Sequence, residues 1–169
     1  SLMLQRRPML TVAFAARRAR TTPGAKRART TTSAAGNDAP SPAVVAQGYW
    51  TLAAPVLSHE LVVKKSRFLA SAWPVSSPAE AQALIAAASD PAASHNCWAA
   101  RAGGSSRSSD DGEPGGTAGR PILGAIEGDG LDGVAVLVTR YFGGAKLGAG
   151  PLARAYAQAA RDAVRAAPK

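Results

Sequence analysis

The stretch Arg107-Ser-Ser-Asp-Asp-Gly-Glu-Pro-Gly-Gly-Thr-Ala-Gly-Arg-Pro-Ile122 constrains this chain more than any other. It holds three acids, two arginines, four glycines and two prolines in sixteen residues. Glycine and proline interrupt both helix and strand, and Ser, Asp and Gly favour turns. Apolar segments flank it on both sides, so it lies inside a folded unit. A long loop in such a place is usually functional. The segments around it must therefore form a scaffold that carries the loop.

That scaffold reads as alternating strands and helices. Gly48–Ala53 has strand character from Tyr49, Trp50 and Thr51, and Pro55 ends it. Ser58–Val63 and Arg67–Trp73 follow as strands. Lys64-Lys-Ser-Arg67 between them puts three positive charges in four residues. Ser77-Pro-Ala-Glu80 is a capping box with proline at the first helical position. It predicts a helix over 78–89 with Ala81, Leu84, Ile85 and Ala88 buried. His95–Arg101 alternates as a strand, with His95, Cys97, Ala99 and Arg101 on one face. The loop then runs from Ala102 to about Gly116, and a short helix starts at Thr117 or Gly119. Gly133–Phe142 is apolar on both faces for most of its length, so it belongs at the centre of a sheet. Gly143–Gly150 is a second glycine-rich loop. Pro151 opens a last helix to Ala166, with Leu152, Tyr156, Ala159, Ala160 and Ala163 inward. This order predicts an α+β fold, a two-layer sandwich of a four-stranded mixed sheet with helices on one face.

The net charge of +9 does not describe this body. Eight basic residues and no acid precede Asp38, while from Asp38 onward there are twelve basic and eleven acidic residues, a net of +1. The high pI belongs to the N-terminus and does not by itself mark a nucleic-acid binder. Residues 1–47 are rich in Arg, Ala, Ser and Thr, which is the composition of an organelle transit peptide. Mitochondrion and plastid both fit, and the cytoplasm is the alternative location. A disordered basic tail, or a nucleic-acid-binding arm at Ala25–Arg29, are the other readings of this segment. Met3 and Met9 are candidate starts. The lone Cys97 permits no internal disulfide. No window approaches the roughly 20 apolar residues that span a bilayer, so no membrane partner is expected.

Six motifs in the body form a recognisable series. They are Lys64-Lys-Ser-Arg-Phe68, His95-Asn-Cys-Trp98, Ser109-Asp-Asp-Gly-Glu-Pro114, Gly116-Thr-Ala-Gly-Arg-Pro-Ile-Leu123, Val138-Thr-Arg-Tyr-Phe-Gly-Gly144 and Lys146-Leu-Gly-x-Gly150. Arg154-Ala-Tyr156 follows them. In this order and spacing they resemble the Impact family, which includes the bacterial YigZ proteins. The match covers Tyr49 to Ala166, so residues 48–169 are read as an Impact domain. Gly115 and Pro151 depart from the family pattern, which usually has Ser and Gly at these positions. The resemblance implies a ribosomal protein S5 domain 2-like fold and a link to translation. The 169 residues match the Impact domain alone, so neither the eukaryotic nor the bacterial relatives' full role carries over.

What chemistry can the loops carry? Gly143-Gly144 and Gly148-x-Gly150 lead into a helix N-terminus, where backbone N–H groups and the positive dipole end favour anions. Arg107, Arg120, Arg140, Lys146 and Arg154 could gather there around phosphate, with RNA the natural ligand in this superfamily. The opposing reading is structural: the glycines permit tight turns, and Asp110, Asp111 and Glu113 hold Arg107, Arg120 and Arg140. The candidate RNA- or partner-binding set comprises Lys65, Arg67, Arg107, Asp110, Asp111, Glu113, Thr117 and Arg120 from the first half. Arg140, Tyr141, Gly143, Gly144, Lys146, Gly148, Gly150 and Arg154 complete it. If the two loops lie at one end of the sheet, they wall a single groove.

Three acids in four residues suit Mg²⁺ or Ca²⁺, but the spacing matches no EF-hand. His95 and Cys97 with His59 are too few for an evident zinc site. No metal and no cofactor is therefore expected. Ser109, His95 and Asp110 make a triad only on paper, without a nucleophile elbow, and a Walker loop is missing too. The reading is a non-enzymatic domain that regulates translation or a stress response by binding RNA, the ribosome or a translation-related protein. A protein-interaction regulator of starvation-kinase-type signalling without nucleic-acid contact is the alternative, and a hydrolase or transferase comes third.

Overall fold

The structure, a computed structural model, describes residues 49–168. The readings of the N-terminal tail fall outside them. In chain order the elements are β1 (Val56–Val63), β2 (Ser66–Pro74), α1 (Pro78–Ala88), β3 (His95–Ala102), β4 (Ser105–Ser109), α2 (Gly119–Gly128), β5 (Val134–Tyr141) and α3 (Ala149–Ala166). They form one sheet in the order β1-β2-β5-β3-β4. β5 is central because Val134 through Arg140 are all buried, and such a strand needs cover on both faces.

The α+β class holds, with three corrections. The sheet has five strands instead of four, and every strand pair in it is antiparallel. The expected strand at Gly48–Ala53 is reduced to one parallel bridge, Trp50 to Leu131. The helices do not share one face. Val134, Val136 and Val138 pack with residues of α2 and α3. Ala135 and Leu137 pack with Ala81 and Ile85 of α1 on the other side. The two faces of β5 thus feed two cores, as period-2 alternation requires when both sets are apolar.

The extra strand β4 comes from the start of what reads as loop. Gly103 and Gly104 have φ of +60° and +75°, and β3 pairs with β4 directly across them, Ala102 with Ser105. That is the two-residue hairpin turn that needs left-handed residues at both centres. α1 is capped largely as its sequence predicts: Ser77 Oγ accepts from Glu80 N–H at 3.2 Å. The Glu80 carboxylate, however, accepts from Ser76 N–H at 2.7 Å, one residue earlier than a capping box requires.

Candidate functional site

Strand register decides what meets what. Arg140 pairs with His95 across β5 and β3, and Arg67 pairs with Tyr141 across β2 and β5. The Lys64-Lys65 turn, the acid-rich loop and the Gly143–Gly148 loop therefore leave the sheet at the same end. The Gly103-Gly104 turn lies at the other.

Glu113 is the hub of the acid-rich loop. Its carboxylate is buried and accepts from Arg140 Nη1 at 2.5 Å and from Tyr156 Oη at 2.8 Å. His95 Nε2 lies 3.8 Å away. His95 Nδ1 sits 2.8 Å from the Asp111 carbonyl, which only accepts, so Nδ1 carries the proton. Arg140 is itself 5% exposed and is enclosed by the rings of Phe68 and Phe142 at 5.5 and 5.6 Å. Its Nε finds no acceptor. Behind this pair, the rings of Phe68 and Tyr156 meet edge to face at 5.1 Å, and Cys97 Sγ lies 3.3 Å from the Tyr156 hydroxyl. Burial pushes the Cys97 thiol up to about 12 and raises the Tyr156 phenol far above its ordinary value.

The other two acids serve the backbone. Asp110 accepts from the N–H groups of Gly116, Ala118 and Gly119 at 2.8, 2.9 and 2.7 Å. α2 has no side-chain cap of its own, since Ala118 stands at its N-cap. Asp110 supplies that cap from eight residues upstream, where a carboxylate also meets the positive helix end. Desolvation disfavours its charge, but the three N–H donors outweigh it and hold the carboxyl below its ordinary value. Asp111 accepts from Asn96 N–H at 2.6 Å. Thr117 Oγ1 donates to the Pro114 carbonyl at 2.6 Å. The three acids diverge to separate partners, and among the described residues no group of three His, Cys, Asp or Glu is placed to hold a metal.

Among the described arginines, only Arg140 meets this loop's carboxylates. Arg107 pairs with Ala100 in the β3–β4 ladder, on the face toward α1 and away from Glu113. Arg67 joins Glu60 at 2.6 Å and lies over the Tyr141 ring at 5.6 Å. Tyr141 donates to Asp90 Oδ2 at 2.5 Å; this bond raises the phenol and lowers the carboxyl. Arg120 is exposed on the first turn of α2, near Gly116.

The remaining candidates line the open end of the sheet. Lys64 and Lys65 occupy both centres of the β1–β2 turn with φ of 45° and 67°. Gly143 packs under them so closely that a Cβ there would lie 2.0 Å from the Lys65 carbonyl carbon. Its N–H donates to the buried Ser66 Oγ at 3.2 Å. Lys64, Lys65, Gly143, Gly144 and Ala145 border an open depression. Lys146 is exposed just beyond it. Gly148 and Gly150 start α3, and the Arg154 guanidinium folds back to within 3.5 Å of where a Gly150 side chain would begin. Among the described residues no carboxylate pairs with Lys64, Lys65, Lys146 or Arg154. Sequence reasoning left Lys64, Ser66, Phe142 and Tyr156 out of the site. The lysine pair between two strands and the aromatic before Gly-Gly were the available signals.

Comparison with known proteins agrees with the motifs. The chain is 57% identical over 108 residues to an Impact family member in the pol 5′ region of Thermus thermophilus, covering 64% of this chain and 60% of that protein. It is 40% identical over 120 residues to the Impact family member YigZ of Escherichia coli, covering 67% and 58%. The crystal structure of a hypothetical protein superposes with a TM-score of 0.67 at 36% identity, over 70% of this chain and 61% of that one. This chain spans about half to three fifths of the length of the curated relatives it matches. Residues 64–164 match the model of the Impact N-terminal domain, and the chain belongs to that family.

Proposed function

We propose that this domain acts in translation by holding RNA through its phosphates at the open end of the sheet. The site is the depression between the Lys64-Lys65 turn and the Gly143–Gly150 loop. One observation carries the reading. A two-residue hairpin turn of this kind is best served by Asn-Gly, yet this one has lysine at both centres with positive φ. A non-glycine residue in the left-handed region costs about 1–2 kcal/mol. The turn thus gives up stability to present two cations, and Gly143 packs against its backbone at Lys65. Lys146, Arg154 and the positive end of the 18-residue helix α3 add to the same field.

Family membership supports the translational setting, and ribosomal RNA is the ligand this chemistry suits. Arg140 is buried on Glu113 and takes a structural part. Non-specific affinity of roughly 10⁻⁴ to 10⁻⁶ M at physiological salt is expected, steeply weakened by added salt. Fluorescence anisotropy with a labelled RNA 12-mer measures it. Removing Lys64 and Lys65 together is expected to lower the log–log salt slope by about 1.4, at about 0.7 per phosphate contact on a single strand. Absence of binding at 50 mM salt would overturn the reading and leave a protein partner as the occupant.

A further inference from the structure

We infer that Phe142 is a stacking platform for one unpaired base, so that the site takes single-stranded RNA in preference to duplex. The inference rests on the RNA reading above.

Phe142 directly follows β5, whose residues from Val134 to Arg140 are buried, yet Phe142 itself is 48% exposed. It is held rigidly there. Its N–H donates to Ser94 Oγ at 3.0 Å, and the next N–H, of Gly143, donates to Ser66 Oγ at 3.2 Å. The Arg140 guanidinium lies over the ring at 5.6 Å and is fixed by Glu113. One side of the ring is therefore backed by an immobile cation, and much of the rest faces solvent. The ring thus covers Arg140 with one side and leaves the rest of its surface open to a ligand.

The surroundings select the class of ligand. Gly143 and Gly144 follow the ring and leave it unshielded, and a Cβ on Gly144 would meet nothing within 4 Å. The same two glycines border the depression beside Lys64 and Lys65. A planar, polarisable group over the ring and anionic groups at the lysines describe a base with its flanking phosphates. Duplex RNA keeps its bases stacked inside the helix and cannot offer one; a single strand can.

Anisotropy titrations of the full chain with an unstructured 12-mer and a 12-base-pair duplex test this, using wild type, Phe142→Ala, Phe142→Leu and Phe142→Trp. Circular dichroism and thermal unfolding identify variants that keep the fold. Loss of one base-stacking contact weakens single-strand binding about 5- to 150-fold. That loss is expected for the alanine and leucine variants, with the salt slope unchanged because no phosphate contact is removed. The tryptophan variant should bind like wild type, and duplex affinity should change by less than about 2-fold in all of them, since no duplex base can reach the ring. If folded alanine and leucine variants bind the single strand as tightly as wild type, the stacking role is refuted while RNA binding stands. A tryptophan variant that folds but loses binding refutes it as well. Failure of the wild type to bind either RNA removes both proposals.

Discussion

Removing Glu113 should destabilise the fold more than any other single polar change at this end of the sheet. Glu113 and Arg140 have side chains 4% and 6% exposed and meet at 2.5 Å. Deleting one partner of a buried pair leaves an uncompensated charge, which costs about 3–5 kcal/mol. Glu113→Ala also leaves the Tyr156 hydroxyl without its acceptor, which adds about 1 kcal/mol. For a body of roughly 120 residues, each kcal/mol lowers Tm by about 3–5 °C, so a drop of about 12–30 °C is expected. Urea and thermal unfolding followed by circular dichroism measure it. Glu113→Gln keeps an acceptor and should lose less. The double change Glu113→Leu/Arg140→Met removes both charges and should recover most of the loss, since buried pairs can be replaced by apolar groups at little cost. A Glu113→Ala loss below about 1 kcal/mol, or a double variant worse than the sum of the singles, would refute the view of this pair as a coupled buried unit.

Asp110→Ala removes the cap of α2 and should cost about 1–2 kcal/mol. Because the Asp110 pKa is depressed in the folded state, its contribution is full above about pH 4 and is lost as the pH falls further. The gap between wild type and variant should close in acid. Cys97 works in the opposite direction. Its thiol is raised to about 12 in the fold, so between about pH 8.5 and 12 only the unfolded chain ionises, and stability should fall by about 1.4 kcal/mol per pH unit. Cys97→Ala should flatten the urea-measured slope between about pH 8.5 and 10, below the ordinary tyrosine range. The turn variant Lys64→Asn/Lys65→Gly should gain about 1–2 kcal/mol of stability and lose RNA affinity in the anisotropy assay; unchanged affinity would separate the lysines from the site. Residues 1–47 fused to a fluorescent protein are expected to concentrate in mitochondria or plastids, and diffuse cytosolic signal would refute the transit reading.

Most elements were legible where one pattern dominated. The unbroken apolar run of β5, the Ser77 cap and the inward set of α3 led directly to their structures. β4 was missed because Ser105–Ser109 has no apolar alternation to report a buried face, although Gly103-Gly104 was a sufficient turn signal. The second helical layer was missed for a different reason. β5 is apolar on both faces, which by itself required cover on both, but the helix order alone does not say which face α1 takes. In the acid-rich loop, the sequence showed carboxylates and arginines without their assignments. Register decided these: it put Arg140 beside Glu113 and carried Arg107 to the opposite face. Asp110 went to a helix cap because the sequence offers Ala118 at that position.

Among the described residues, the five-stranded sheet ends in two edge strands, β1 and β4, and a flat apolar edge recruits other chains. β4 forms one edge from four serines and an arginine, almost entirely exposed, so an added strand would gain little apolar contact there. β1 forms the other, and its register breaks between Val56 and His59 around Ser58 at φ 59°. Such a bulge twists the strand out of line for pairing. Both borders of the sheet are thus unfavourable to further strand addition, which protects the fold from edge-to-edge aggregation while its charged end stays open.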